Sequence, residues 1–90
     1  MLKTYRILEL STAHVSLATR DLLDGTFIHV WPVSGMTGEH GWLIYAHDER
    51  PEGCPDDLWK CIERAHTEGA SHLWFDQDLD PIDGLATYDW

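Results

Sequence analysis

The sequence has 90 residues, enough for one domain and too few for two, so we expect a single domain over residues 1–90. Sixteen acidic residues against six basic ones give a net charge of −10 at pH 7. This charge argues against direct binding to nucleic acid and to anionic membrane surfaces, because both depend on basic residues. We expect a protein partner, and a basic one if charge contributes to binding.

Hydrophobic residues make up 43% of the chain and include five tryptophans, a composition typical of a packed globular domain. No segment is long and apolar enough to span a bilayer, and the opening residues do not resemble a signal peptide. Cys54 and Cys61 have a spacing that matches neither a zinc site nor a redox motif. We therefore expect a cytoplasmic protein with reduced thiols.

The first strand is predicted over residues 5–10 (YRILEL), which are rich in residues that favour strands. A short helix is predicted over residues 16–24. Ser16 is a suitable N-cap for it, and Gly25 would end it.

Residues 27–33 (FIHVWPV) predict the second strand and residues 41–47 (GWLIYAH) the third. The glycines between them predict a hairpin loop. Pro32 lacks an N–H group, so we expect the second strand to lie at an edge of the sheet.

The second helix is predicted over residues 56–68, where Asp56 and Asp57 favour the positive end of the helix dipole. Its apolar residues recur with the period of one helix face. They are Leu58, Cys61, Ile62 and Ala65. The last strand is predicted over residues 72–76 (HLWFD).

The predicted order is strand, helix, strand, strand, helix, strand. This βαββαβ order is typical of the ferredoxin-like split βαβ fold. It predicts an α+β domain with a four-stranded antiparallel sheet and both helices on one face.

The other face of that sheet would carry no helix, and aromatic side chains fall on it. Alternation along the strands turns one set toward the helices: Leu8, Leu10, Ile28, Val30, Leu73 and Phe75. It puts a second set on the open side: Tyr5, His29, Trp31, Tyr45, His47 and Trp74. This surface either binds a partner or is covered by the C-terminal tail, with Leu85, Tyr88 and Trp90 as plugs.

Candidate binding residues are of two kinds. The first are the tryptophans of the predicted strands: Trp31, Trp42 and Trp74. The second are aspartates that a basic partner would contact: Asp56, Asp57, Asp76, Asp78 and Asp80.

Three alternating aspartates, Asp76 to Asp80, resemble the start of an EF-hand calcium loop. The sixth position of that loop requires glycine and holds Pro81, and the twelfth requires glutamate and holds Thr87. We therefore expect no metal. Phosphate-binding glycine motifs and RNA-binding aromatic motifs are also absent from the sequence, so we expect no cofactor and no RNA.

His14 offers the main argument for catalysis. Ser11, His14 and a carboxylate such as Asp76 form a catalytic set if the fold brings them together. No nucleophile elbow supports this arrangement, and Ser11 and Thr12 are suited to bonding the local backbone. A small metal-dependent or hydrolytic enzyme centred on His14 and Asp76 is kept as an alternative.

Motifs near the two ends resemble a domain-of-unknown-function family of short bacterial proteins found on plasmids, prophages and genomic islands. They are Ser-Thr-Ala-His at residues 11–14, Asp-Gly after the first helix, and Asp-Gly-Leu-Ala-Thr-Tyr-Asp-Trp at residues 83–90. The resemblance implies no assigned activity. It implies a mobile-element setting, in which small acidic proteins often block a host or competitor machine.

The sequence thus predicts a protein that acts by binding another protein and is not an enzyme. The sharper hypothesis is an inhibitor or anti-defence protein whose acidic residues occupy a basic nucleic-acid-binding surface. An oligomeric structural protein, such as a homodimer joined through its tryptophan face, is a further alternative.

Overall fold

The computed structural model describes residues 2–24 and 31–90. These residues contain two helices, a 3₁₀ turn and four strands, and the predicted α+β class is confirmed. In chain order the elements are β1 (Ile7–Ser11), the 3₁₀ turn (Thr12–His14), α1 (Leu17–Leu23), β2 (Gly35–Thr37), β3 (Gly41–Tyr45), α2 (Asp56–Thr67) and β4 (His72–Asp76). Neither helix is of a length and hydropathy that would cross a membrane.

The sheet is mixed, and the prediction that it is fully antiparallel is wrong. Its strand order is β1-β4-β3-β2, with β1 parallel to β4 and the other neighbours antiparallel. β4 lies in the interior of the sheet, and its two large apolar side chains, Leu73 and Phe75, are fully buried. β1 carries the exposed Glu9 and lies at an edge, where a charged side chain meets water at little cost.

The second strand also differs from its prediction. β2 begins at Gly35, inside the segment predicted as a loop, and it does lie at an edge of the sheet. Residues 31–33 of the predicted strand have no regular structure, although Trp31 and Val33 are buried. Residues 27–30 lie outside the described part of the chain. In the described part of FIHVWPV, residues 31–33, the alternation of Trp31 and Val33 therefore reflects their burial and not strand pairing.

Both helices pack on one face of the sheet, as predicted, and the core lies between them and the strands. Leu73 of β4 lies between Leu8 and Ile44, and Phe75 lies between Leu10 and Trp42. α2 buries the predicted face of Leu58, Cys61, Ile62 and Ala65. Burying each large apolar side chain contributes about 1.5–3 kcal/mol.

The first turn of α2 holds the start of α1. Ser16 is the N-cap of α1, as predicted, and its hydroxyl accepts the Thr19 N–H group at 3.3 Å. The Asp57 carboxylate accepts both the Ser16 N–H group at 2.6 Å and the Thr19 hydroxyl at 2.8 Å. One side chain of α2 thus satisfies two donors of α1 and fixes the helices relative to each other.

Replacing Asp57 with alanine is expected to lower the free energy of unfolding by about 2 kcal/mol, because two partly buried donors lose a charged acceptor. The neighbouring Asp56→Ala is the matched control, since Asp56 is exposed and its ion pair within the described residues is with Arg50 at the surface. Urea unfolding monitored by tryptophan fluorescence measures both. Equal losses from the two substitutions would contradict this role for Asp57.

Both cysteines are buried free thiols. Burial raises the pKa of the Cys61 thiol to about 12, with the Asp57 carboxylate adding to the effect. Burial also raises the pKa of Cys54. Because the thiolate is the nucleophile, neither group is prepared for chemistry near neutral pH.

We predict that iodoacetamide at pH 8 modifies Cys61 only when the chain unfolds. The measured alkylation rate should follow the unfolded fraction as urea is added. Rapid modification of Cys61 in the folded protein, read by mass spectrometry, would contradict its burial. Above about pH 9 the raised pKa of Cys61 should also lower stability, because the unfolded chain then loses the thiol proton more easily than the folded one.

Candidate functional site

The face of the sheet opposite the helices carries a continuous apolar surface, which we call the open face. It consists of Tyr5, Ile7, Met36, Leu43, Tyr45 and Trp74. Strand pairing places Trp74 between Glu9 and Leu43, with Met36 beyond Leu43. Tyr5, Ile7, Met36 and Tyr45 are 57%, 49%, 57% and 41% exposed, whereas the large side chains of β3 and β4 on the helix-facing side are buried. This is the face on which the sequence predicted an aromatic patch.

Two histidine rings pack against the tyrosines of the open face. The ring of His72 meets the edges of Tyr5 and Tyr45 at centroid distances of 5.0 and 5.5 Å. His47 also packs against Tyr45, with a centroid distance of 5.0 Å, and its Nε2 accepts the Ser34 N–H group at 2.9 Å. Desolvation lowers the pKa of His47, while Asp48 acts in the opposite direction. His47 is therefore an uncharged support for Tyr45.

Trp74 is half-buried at the centre of the open face. Its Nε1 donates to the Asp76 carboxylate at 3.3 Å. The tip of the indole lies over the turn between β2 and β3, where a Cβ added at Gly38 would be only 3.0 Å from its Cη2 atom. Gly38 thus allows the hairpin to approach the ring and orient it.

The C-terminal tail, residues 77–90, crosses the helical side of the domain. Arg64 of α2 donates to the Asp83 carbonyl at 2.8 Å, and the Tyr88 N–H group donates to the Ala13 carbonyl at 2.9 Å. The Trp90 indole donates to the Val15 carbonyl at 2.8 Å, and the Arg20 guanidinium lies 5.2 Å from the centre of its ring. Of the two alternatives for the open face, the tail therefore leaves it uncovered.

His14 is the side chain that fastens this tail. It is 2% exposed, and its Nδ1 lies 2.9 Å from the Ala86 carbonyl oxygen. Its Nε2 lies 3.0 Å from the Ile82 N–H group. A carbonyl only accepts and an N–H only donates, so the ring is neutral with its proton on Nδ1. Both nitrogens are occupied by the backbone of the tail.

The substitution His14→Ala is expected to release the tail, because the Ile82 N–H group and the Ala86 carbonyl lose their buried partner. We expect a loss of about 2 kcal/mol in the free energy of unfolding and faster amide exchange at Ile82 and Tyr88, measured by NMR. His40→Ala is the control, since His40 is exposed on a turn. Unchanged exchange in the tail of His14→Ala would contradict the fastening role.

The tryptophans that the sequence proposed for binding occupy three different environments. Trp31 was expected on the open face, and that placement is wrong, because it is buried in the core. Trp42 is also buried, and its indole donates to Asp24 at 2.9 Å, which ties β3 to the end of α1. Only Trp74 reaches the open face. His29, which was expected there as well, lies outside the described residues.

The aspartates proposed for binding also differ from one another in their environments. Asp57 is committed to α1 and Asp56 to Arg50, so both have partners within the chain. Asp76 accepts the Asp78 N–H group at 2.9 Å, and this bond, followed by that from Trp74, lowers its pKa. Asp78 and Asp80 are exposed on the turn after β4. Within the described residues no three potential ligands are grouped so as to hold a metal ion.

Met36 and Leu43 belong to the open face but were not among the predicted site residues. Met36 lies in the segment predicted as a loop, and the site prediction for β3 rested on its aromatic residues. The signal available in the sequence was the alternation of Leu43 with Trp42 and Ile44, which places Leu43 opposite the core.

Comparison with known protein families decides the affiliation of the chain. The C-terminal domain of a family of unknown function (DUF5983) matches residues 7–90. The chain belongs to this family. The match covers all four strands and both helices, and it agrees with the expectation of an uncharacterised family. No curated protein and no solved structure matched the chain.

Proposed function

We propose that this member of the DUF5983 family acts by binding another protein through its open face. The observation that carries the proposal is the course of the tail, which docks on the helical side and leaves Tyr5, Met36 and Tyr45 exposed. Apolar patches of this kind, bordered by charged residues, are typical of binding surfaces.

The rigidity of the surface supports this proposal. Tyr45 is held between two imidazoles and Trp74 is held by Asp76 and the β2–β3 turn. Aromatic side chains that are already oriented lose little conformational entropy when a partner docks, which favours affinity. Tyrosine and tryptophan are also the residue types that most often dominate binding energy.

The distribution of charge favours a basic partner. Arg20, Arg50 and Arg64 pair with acidic neighbours within the chain, which leaves half of the six basic side chains to offset the remaining acid. Asp76 adjoins Trp74, and Asp48 adjoins His47, so carboxylates border the open face. A basic surface is complementary to this arrangement, and complementarity raises both specificity and the association rate.

Among basic surfaces, one that binds nucleic acid is the target we propose for the open face and its bordering carboxylates. An acidic protein that covers it would compete with phosphate groups for the same arginine and lysine side chains. The proposed function is therefore inhibition of a nucleic-acid-binding protein, consistent with the mobile-element setting that the sequence resemblance implies and with the cytoplasmic location expected from the sequence. The enzyme alternative centred on His14 gains no support, because both nitrogens of that ring bond to the tail.

The test compares binding by the wild type, Tyr45→Ala, Met36→Ala and the control Leu17→Ala in a bacterial lysate. Leu17 is an exposed hydrophobic residue on α1, on the helical side. We expect specific capture of a basic protein, with affinity reduced about tenfold by each open-face substitution and unchanged by Leu17→Ala.

Salt and competition test the remaining part of the proposal. Binding should weaken as salt is raised, and the captured protein should lose nucleic-acid binding when the wild-type chain is added. Capture that Leu17→Ala abolishes and Tyr45→Ala leaves intact would rule out the open face. Binding that does not depend on salt would rule out the basic partner.

A further inference from the structure

β1 offers a second interaction surface, the main-chain edge of the sheet, which adjoins the open face. In the described residues its only strand neighbour is β4. Ile7 and Glu9 are both exposed. An uncovered edge strand presents main-chain donors and acceptors that can pair with another strand.

The hydrogen bonds of the sheet determine which groups this edge presents. The Ala46 N–H group donates to the Ser71 carbonyl at 2.9 Å, and the Gln77 N–H group donates to the His40 carbonyl at 3.4 Å. Residues 73 and 75, which lie between these bonds, therefore direct their main-chain groups toward β3. Residues 72, 74 and 76 must then direct theirs toward β1.

The partners of these groups in the parallel ladder are residues 6, 8 and 10 of β1 and the segment before it. Just before β4, the Arg6 carbonyl accepts the Ser71 N–H group at 3.0 Å, so the carbonyl of Arg6 is directed toward β4. It follows that the N–H and C=O groups of Ile7 and Glu9 point away from β4, toward the free edge. Their side chains lie on the open face.

We propose that this edge pairs with β1 of a second copy of the chain, antiparallel and about a two-fold axis at Ile7. Each Ile7 then exchanges both main-chain hydrogen bonds with Ile7 of the second copy, and Tyr5 lies opposite its Glu9. The two sheets join into one of eight strands, and the open faces of the two copies become continuous. This inference is independent of the proposed function, because it concerns the strand edge.

Local charge complementarity supports a second copy as the occupant and disfavours registers centred toward Glu9. The Lys3 ammonium lies 5.5 Å from the centre of the Tyr5 ring. Placing Tyr5 opposite Glu9 of the second copy therefore brings Lys3 beside that carboxylate, and the symmetry repeats the pair. Moving the two-fold axis from Ile7 toward Glu9 shifts the register by two residues and brings the two Glu9 side chains diagonal to each other. A further shift in that direction places them directly opposite, which is destabilising.

Proline scanning of the edge tests the main-chain bonds. Ile7→Pro removes an N–H group that points to the free edge and leaves the ladder with β4 intact, since proline is tolerated where that group faces solvent. Ile7→Ala is the control for the lost side chain. Sedimentation equilibrium should show a concentration-dependent dimer for the wild type and at least fivefold weaker dimerisation for Ile7→Pro than for Ile7→Ala.

Charge reversal tests the register and does not depend on proline. Lys3→Glu and Glu9→Lys should each weaken the dimer about fivefold, and the double variant should restore it. Circular dichroism shows whether each variant is folded. A wild-type chain that stays monomeric at roughly millimolar concentration would overturn the proposal. So would a double variant no better than the single ones, or equal dimerisation of Ile7→Pro and Ile7→Ala.

Discussion

The docking of the tail through His14 determines which surfaces of this domain are available. A buried imidazole with a backbone acceptor on one nitrogen and a backbone donor on the other can hold the tail in only one tautomer and one position. Arg64 and Trp90 add further bonds at each end of the same path. The aromatic residues of the tail are consequently placed on the helical side, and the tail leaves the open face uncovered.

This arrangement places the internal polar contacts on one side of the sheet and the surface proposed for binding on the other. The helical side uses its polar groups internally: Asp57 holds α1, Asp24 holds Trp42, and His14 holds the tail. The open face has few such internal bonds, and its carboxylates lie at its border. The open face, which has fewer hydrogen bonds within the chain, is the surface proposed for a partner. The edge of β1 adjoins the open face and is proposed to pair with a second copy.

Local sequence patterns predicted much of the fold. The capping serine of α1, the apolar face of α2 and the whole of β4 followed from residue type and spacing alone. The strand order did not, because it depends on which strand buries the most apolar surface once all are assembled. β1 lies beside β4 and not in the centre, which makes the sheet mixed.

The candidate site was predicted in part, for related reasons. Trp74, Tyr45 and Tyr5 were placed on the open face correctly, because they lie in or beside strands whose alternation is regular. Trp31 was misplaced because it follows no strand pairing, and its alternation with Val33 reflects burial of both. The role of His14 required contacts with residues 82 and 86, which no local pattern in the sequence encodes.

The most direct test of this account is the environment of the Trp90 indole in the free protein, measured by nuclear Overhauser effects. The account predicts contacts from the indole protons to Val15 and Arg20, together with strong solvent relaxation at Tyr45 from a paramagnetic probe. Contacts from Trp90 to Trp74 or Tyr45 would place the tail on the open face. That result would contradict the account, because the proposed binding surface would then be part of the core.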